Sequence, residues 1–305
     1  MKQKLLTLLL VGVMMLGLVA CGTSTQTPID NSASSQSPEG SSANISGENT
    51  EEPEVTVATI ESTVLVDQDG IVITAQELVE DSIWGTGIKL LIENNSSENQ
   101  VIQCDYAVVN NFMMTSLLFS ADVAAGKKAN ETLYFSDTVM EGANISTITD
   151  MSFVFYSMNP NTYQRGFTTE EVSLSTSASG SYEQPIPDEG KELYNQNGIR
   201  IVGSYVEEDT FWGAGVVLFI ENTSDTNMII TCDNMSINGF MVTPYFSALV
   251  NSGKMSMSNI TIMSSDLEDN GIDKVEDIEL VFKGLNPESY QTIFETDAIA
   301  FSTAE

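Results

Sequence analysis

Apolar residues fall on alternate positions along most of the chain after residue 56. Ile71 and Ile73 form one such pair, and Ile88, Leu90 and Ile92 continue the period of two, which predicts half-buried β-strands. Further strand-like runs lie at 101–109, 117–123, 132–135, 151–156 and 172–174. Turn-forming residues separate the runs, and a short helix is predicted only near 265–270, where Gly271 would end it. This pattern predicts an all-β chain folded into antiparallel β-sandwiches.

The same pattern occurs twice, because the chain repeats itself at an offset of 128 residues. Residues 80–85, Glu-Asp-Ser-Ile-Trp-Gly, match residues 208–213, Glu-Asp-Thr-Phe-Trp-Gly. One residue is lost near Leu117, and from the pair Gly126-Lys127 onward the offset is 127. A repeat of this length has the size of a domain, so we expect each copy to bury its own core.

These matches divide the chain into regions. We predict a first repeat at 56–178, a linker at 179–190 and a second repeat at 191–305. Pro185 and Pro187 lie in the linker, and because proline restricts the backbone, the linker should limit the relative freedom of the repeats.

The N-terminal end has a different pattern. Lys2 and Lys4 precede an almost unbroken apolar run from 5 to 20, which is typical of an export signal. Sixteen helical residues span about 24 Å, which is short for a bilayer core of about 30 Å. The end of the run, Leu-Val-Ala-Cys at 18–21, resembles the lipobox of bacterial lipoproteins. The resemblance implies that 1–20 is a removed signal peptide. It also implies that Cys21 carries a diacylglyceryl group on the extracytoplasmic face of the cell membrane.

Residues 21–55 connect this cysteine to the first repeat. They are rich in Ser, Thr, Asn, Gln, Gly, Pro and Glu, and so few apolar side chains cannot form a core, which predicts a disordered tether. A flexible chain of about 33 residues has a root-mean-square span of roughly 30 Å. We therefore expect the folded repeats to stand off the membrane.

Charge and composition exclude several classes of function. The chain has 11 basic and 43 acidic residues, a net charge of −32, and no histidine. A surface this acidic repels phosphate backbones, so nucleic acid is not an expected partner. Without histidine there is no His-dependent catalytic triad and no His-ligated zinc. Nucleophile-elbow and phosphate-loop motifs are missing from the sequence as well. We predict a protein that is not an enzyme and that uses no cofactor.

Cysteine usage is equally restrictive. Besides Cys21, only Cys104 and Cys232 are present, one in each repeat, so neither repeat can close an internal disulfide. Both lie in strand-like runs, and we expect small buried hydrophobic residues.

The two repeats resemble the immunoglobulin-like domains of unknown function that occur in surface lipoproteins of Gram-positive bacteria. The shared motifs are Ile-Glu-Asn at 92–94 and 220–222, Asn-x-Phe-Met at 110–113 and 238–241, and the Gly-Lys pairs. The resemblance implies two tandem immunoglobulin-like β-sandwiches at the cell surface, and it implies no settled activity.

An acidic-aromatic loop is the best candidate for binding, and it occurs in both repeats. Its residues are Glu80, Asp81, Trp84, Glu208, Asp209 and Trp212. Carboxylates are ligands suited to Ca²⁺, and tryptophan beside carboxylates suits a sugar or a protein partner. The alternative is that each tryptophan packs into its sandwich while the acids are solvated. The acidic runs at 67–70 and 266–273 are interpreted as a turn and a helix end, so no metal site is assigned.

Together these features predict a lipid-anchored, non-catalytic binding or scaffolding protein at the cell surface. Its partners would be the membrane, through the anchor, and an unidentified protein or cell-wall component. The alternative function is a solute or cation receptor that uses the Glu-Asp-Trp loops.

Overall fold

The computed structural model describes residues 26–29, 58–115, 117–187 and 189–303, and for Asp209 only the backbone. The predicted signal peptide, Cys21 and most of the predicted tether lie outside these ranges. Within them the fold is all-β with two short helices, and its sheets are antiparallel except for one strand pair, which confirms the predicted fold class. No helix in these ranges is long and apolar enough to cross a bilayer.

The first repeat contains ten of the described strands and one helix. They are β2 (Thr63–Gln68), β3 (Ile71–Asp81), β4 (Gly85–Asn94), β5 (Gln100–Val109), β6 (Phe112–Met114), β7 (Ser120–Val123), β8 (Lys127–Tyr134), α1 (Asp137–Gly142), β9 (Asp150–Met158), β10 (Arg165–Thr168) and β11 (Val172–Ser175). One sheet has the order β2-β3-β4-β8. In the other, β5 pairs with β6, β7 and β9, and β9 pairs with β10 and β11. The alternating isoleucines of β3 and β4 pack against Phe153 and Phe155 between the two sheets.

The second repeat has the same topology. Its elements are β12 (Lys191–Gln196), β13 (Ile199–Thr210), β14 (Gly213–Asn222), β15 (Met228–Ile237), β16 (Phe240–Met241), β17 (Pro244–Tyr245), β18 (Ser247–Val250), β19 (Met255–Met263), α2 (Ser264–Asn270), β20 (Asp277–Leu285), β21 (Thr292–Glu295) and β22 (Ile299–Ser302). Gly271 ends α2 in the left-handed conformation, as the sequence predicts. The division of the chain at 179–190 stays a prediction.

The two repeats are packed against each other and share part of a core. Strand β19 pairs with β6 in parallel at Met255 and Phe112, so one sheet continues from one repeat into the other. Five buried side chains of the second repeat belong to the core cluster of the first: Val202, Val217, Phe219, Met255 and Met257. Each repeat has a core of its own, and on this face the second repeat also buries these five side chains against the first.

A difference between the two copies explains this packing. In the first repeat the positions equivalent to those five residues hold Thr74, Lys89, Leu91, Lys128 and Asn130. Strand β4 accordingly alternates between buried and partly exposed residues, whereas β14 is buried on both faces over most of its length. Apolar residues on both faces of a strand require a second layer, and here the first repeat supplies it.

Part of the predicted tether is ordered. Residues Gln26–Pro28 form strand β1, which pairs antiparallel with β13 at Tyr205, Val206 and Glu207. Ile29 follows, is 3% exposed and packs into the core of the second repeat. For 26–29 the prediction of disorder is wrong, because one buried isoleucine and a free strand edge provide what the polar composition lacks.

Two smaller expectations have clear outcomes. Cys104 and Cys232 are buried free thiols, and desolvation raises the pKa of each to about 12, so both are the inert hydrophobic residues that we expected. The predicted strand at 117–123 begins only at Ser120, which leaves Leu118 outside the sheet.

Candidate functional site

The acidic-aromatic loop of the first repeat is the turn between β3 and β4. The Asp81 carboxylate Oδ1 accepts hydrogen bonds from the backbone N–H groups of Ile83 at 2.8 Å and Trp84 at 3.0 Å, a side-chain turn that aspartate favours. These two bonds lower the pKa of Asp81. Gly85 closes the turn with φ +71°, a conformation that favours glycine. Asp81 therefore shapes the loop that holds Trp84.

The other acids of this loop lie on one side of it. Glu80 Oε2 accepts a hydrogen bond from the Thr86 hydroxyl at 2.9 Å. Asp137, at the start of α1, comes so close to Gly85 that any side chain at 85 would collide with its carboxylate. Burial, and secondarily the charge of Glu80, raise the pKa of Asp137. With Glu141 these acids line an open cleft of about 790 Å³.

Trp84 lines a second, largely apolar groove of about 660 Å³, which adjoins the acidic cleft at Ile83 and Asp137 and which we call the Trp84 groove. Its lining residues are Ile83, Trp84, Thr115, Leu117, Leu118, Thr132, Tyr134, Phe135, Ser136 and Asp137. Trp84 is 58% exposed and its ring lies 6.2 Å from that of Tyr134. Ile83 and Leu118 are 71% and 97% exposed. The alternative in which Trp84 packs into the sandwich is wrong.

The equivalent loop of the second repeat is built differently. The Thr210 hydroxyl, rather than a carboxylate, accepts the Gly213 N–H at 3.2 Å. Trp212 is again 58% exposed, and Phe211 is 88% exposed with its ring edge-on to that of Trp212 at 4.8 Å. Glu208 Oε1 is buried without a hydrogen-bond partner among the described residues. Asp209 lies in β13, and its side chain is outside the description.

The predicted site residues thus form two separate loops, one in each repeat. Within the described ranges, no hydrogen bond, ion pair or ring contact joins one loop to the other. In those same ranges no group of three or more Asp, Glu or Cys side chains is arranged to hold a metal ion. The carboxylate of Asp81 is already engaged by the turn, so the geometry favours the apolar side of the loop as a binding surface.

Sequence reasoning missed Leu118, the most exposed apolar side chain of the groove. The predicted strand at 117–123 includes both Leu117 and Leu118, although adjacent residues of a strand point to opposite faces. That conflict was the available signal: at most one of the two leucines could face the core.

Comparison with protein-family models finds no match, and comparison with curated protein sequences finds none either. Among solved structures, the chain is similar to the YadV chaperone, with 13% identity over 75% of this chain and 99% of that chain and a TM-score of 0.24. It is also similar to a chain of the Salmonella enterica complex of the SafA pilin with the SafB chaperone, with 10% identity, coverages of 71% and 88% and a TM-score of 0.18. Similarity at this level carries no argument about function.

Proposed function

We propose that this protein is a lipid-anchored, non-catalytic binding protein of the extracytoplasmic membrane face, and that its Trp84 groove takes apolar side chains of a protein partner. The observation that carries the proposal is the exposure of Ile83, Trp84 and Leu118 around one groove. Contiguous exposed apolar side chains mark interaction sites. Tryptophan is among the residues that most often dominate the binding energy at such sites.

The charge next to the groove favours one kind of partner. Asp137 lines the groove itself, and Glu80, Asp81 and Glu141 line the adjoining cleft, in a chain with a net charge of −32. Complementary charge around an apolar centre speeds association and selects partners. We therefore propose a polypeptide partner that presents an apolar side chain flanked by lysine or arginine.

The anchor and the folded body are close together in this proposal. Strand β1 begins at Gln26, five residues after Cys21. Five extended residues span at most about 18 Å, compared with roughly 30 Å for the whole tether as a flexible chain. Because β1 is paired with β13, the repeats are held nearer to the bilayer than the tether length implies. Two fatty chains on Cys21 would anchor them stably.

Site-directed photo-crosslinking on living cells tests the groove. A photoreactive residue replaces Leu118, which is almost fully exposed, and a matched one replaces Val64, which is 57% exposed in β2. We expect a specific protein adduct from position 118, none from position 64, and at least a tenfold loss of the adduct when Trp84→Ala is added, as for a binding hot spot of about 1.4 kcal/mol or more.

The second repeat supplies the control for this experiment. Trp212→Ala removes an equally exposed tryptophan and should leave the adduct from position 118 unchanged. Equal adducts from positions 118 and 64, or an adduct that is indifferent to Trp84→Ala, would contradict the proposed groove.

Replacement of Cys21 tests the anchor separately. Cys21→Ser should move the protein from the membrane fraction to the soluble fraction, because the thiol that carries the lipid is lost. Metabolic labelling with a fatty-acid analogue should label the parent chain, which keeps Cys21, and should not label the Cys21→Ser variant. A Cys21→Ser protein that stays in the membrane fraction would overturn the anchor and leave the groove untouched.

A further inference from the structure

The turn between β13 and β14 carries an exposed aromatic pair that the proposed function does not use. Phe211 is 88% exposed and Trp212 is 58% exposed, with their rings edge-on at 4.8 Å. In the first repeat Trp84 lies beside the ring of Tyr134, but the equivalent residue of the second repeat is Thr261. Trp212 therefore lacks the ring that flanks Trp84 and contacts its own neighbour instead. We call Phe211 and Trp212 the aromatic tip.

Hydrogen bonds of the backbone hold this tip in place. The Trp212 carbonyl accepts the N–H of Ser264, the first residue of α2, at 2.7 Å. The Thr210 hydroxyl accepts the N–H of Gly213 at 3.2 Å and donates to the Gly213 carbonyl at 3.0 Å. Both ends of the turn are thus fixed while two adjacent aromatic rings remain exposed. Contiguous exposed apolar side chains of this kind mark a contact site.

The course of β1 indicates what the tip contacts. Strand β1 runs antiparallel to β13, with Pro28 beside Tyr205 and Gln26 beside Glu207. Followed back towards Cys21, β1 therefore runs towards the end of β13 that carries the tip. A strand advances about 3.3 Å per residue and its neighbour lies about 4.8 Å away, so Phe211 lies at most about 18 Å from Gln26.

Cys21 has the same reach. It precedes Gln26 by five residues, which span at most about 18 Å when fully extended. The opposite end of β13, at Ile199, is about 26 Å from Glu207 at the same rise per residue. A lipid on Cys21 therefore brings the tip end of the second repeat, rather than the opposite end, nearest to the bilayer.

We propose that the aromatic tip inserts into the interface of the bilayer that carries Cys21. The proposal rests on the lipid anchor proposed above. Aromatic side chains such as tryptophan are enriched at the membrane–water interface, because the ring is apolar and the indole N–H remains hydrated. Even one myristoyl chain binds a bilayer only marginally, so two rings do not anchor the protein. They orient a molecule that the lipid already holds.

The charges near the tip determine which lipids it prefers. Glu208 precedes Phe211 by three residues, and Asp266 lies in α2, two residues after Ser264. Carboxylates are repelled by anionic headgroups, so the aromatic rings drive this contact and charge opposes it. The tip should therefore insert more into zwitterionic than into anionic bilayers, whereas a basic membrane-binding surface has the opposite preference.

Tryptophan fluorescence tests the proposal, because the chain has only two tryptophans. The chain from residue 21 onward is coupled through Cys21 to a maleimide lipid in phosphatidylcholine vesicles; Cys104 and Cys232 are buried thiols and do not compete. Trp84→Phe leaves Trp212 as the reporter, and Trp212→Phe leaves Trp84. We expect brominated acyl chains to quench Trp212 roughly threefold or more strongly than Trp84, as for an interfacial side chain.

Two substitutions at exposed turn positions provide the matched comparison. Phe211→Asp places a charge in the tip, and with Trp84→Phe it should reduce the quenching of Trp212 roughly threefold or more, because a charged side chain resists transfer out of water. Ile83→Asp makes the same change at the equivalent turn of the first repeat, where Ile83 is 71% exposed, and should leave the quenching of Trp212 unchanged. Circular dichroism melting checks that each variant is folded.

Three results would overturn the proposal. They are a Trp212 that is quenched no more than Trp84, quenching of Trp212 that survives Phe211→Asp, and stronger quenching when phosphatidylglycerol replaces half of the phosphatidylcholine. Chemical coupling does not depend on lipidation by the cell, so these results judge the tip alone. The fractionation of Cys21→Ser judges the anchor, and the two proposals can therefore fail separately.

Discussion

Two fully buried asparagines, Asn94 and Asn222, hold the same corner in the two sandwiches. The Asn94 side-chain amide donates to the carbonyls of Glu98 and Val123, both at 2.8 Å, and its Oδ1 accepts from the N–H and hydroxyl of Ser96. Asn222 makes the equivalent four bonds. The Ile-Glu-Asn motif of each repeat therefore has a structural role, because it ties a strand end to the following loop and to a neighbouring strand.

Removal of one such side chain should be costly. Asn94→Ala leaves the buried carbonyl of Val123 without its donor, which costs about 1–3 kcal/mol for an unsatisfied buried group. Urea unfolding measures the free energy of unfolding directly. Asn95→Ala, one position later and exposed, should change it by less than about 0.5 kcal/mol. Equal effects of the two substitutions would contradict the role assigned to Asn94.

The contribution of Glu207 to stability depends on pH, because this side chain is partly buried where the two repeats meet. Burial, and secondarily the charge of Glu141 across the contact, raise the pKa of the Glu207 carboxyl. The folded protein therefore binds this proton more tightly than the unfolded chain does. The ionised side chain costs stability above its folded pKa, and this cost disappears as the pH falls below the unfolded value of about 4.3.

Glu207→Gln removes that cost and should therefore make the protein more stable than the parent at pH 7. The difference between the two should shrink towards zero at about pH 3, where the parent carboxyl is almost fully protonated in both states. Urea unfolding at both pH values measures it, and the other carboxylates cancel in the comparison. A variant that is less stable than the parent at pH 7 would refute the assigned cause.

Strand β1 is the element whose position is hardest to anticipate. In the first repeat the Thr59 carbonyl accepts the N–H of Ser177. In the second, Ile29 forms a bridge with Thr303, which is equivalent to Thr176, the neighbour of Ser177. At the 128-residue offset the residue equivalent to Thr59 is Pro187, in the linker. The N-terminal segment thus occupies a place that the linker could have filled. Gly203 makes room for Ile29, since a Cβ there would lie 2.8 Å from the end of the Ile29 side chain.

Ile29→Ala should lower the free energy of unfolding by about 2 kcal/mol, at the low end for a buried isoleucine because the strand lies at a sheet edge. Ile186→Ala is the matched control, since Ile186 is 50% exposed in the linker and its loss should cost less than about 0.5 kcal/mol. Thermal or urea unfolding of the chain from residue 21 onward measures the loss of stability that each of the two substitutions causes. If Ile186→Ala proves the more costly change, the linker and not β1 covers this edge.

The molecule as a whole is stabilised by the shared core between the repeats. Side chains such as Val217 and Phe219 are at most 1% exposed only because the first repeat covers them. Buried apolar contact of this kind couples the unfolding of one repeat to that of the other. The linker is held against the first repeat, because the Gln184 amide donates to the Ala143 carbonyl and its oxygen accepts from Asn110.

The first repeat supplies the substitutions that test this coupling. Val217→Lys with Met257→Asn introduces the residues that the same fold carries at the equivalent positions 89 and 130. The second repeat should still fold, but a charge and an amide now face an apolar surface. Calorimetry should show one transition for the parent and two for the variant. Lys89→Val is made on an uncovered face and should leave the single transition intact.

Much of the architecture follows from short stretches of chain. Whether a side chain of a strand points inward depends on its neighbours two positions away, so the period of two was sufficient to predict most strands and the all-β class. It failed at Leu118, where two adjacent leucines gave no period. The turn at Asp81 to Gly85 was equally local, because aspartate and glycine act on the backbone within four residues.

The sites of contact depend on residues more than a hundred positions apart. Strand β14 is buried on both faces over most of its length, and its residues carry no information about which surface covers it. The exposure of Trp84 depends on where β8 and the segment around Leu118 lie. The folding of 26–29 into a strand depends on the free edge of β13 at Tyr205–Glu207. Local backbone preferences act over a few residues and can be read directly from the chain. Burial depends on which other part of the chain packs against a residue. In this protein, therefore, only the tertiary structure decided which of these residues are buried.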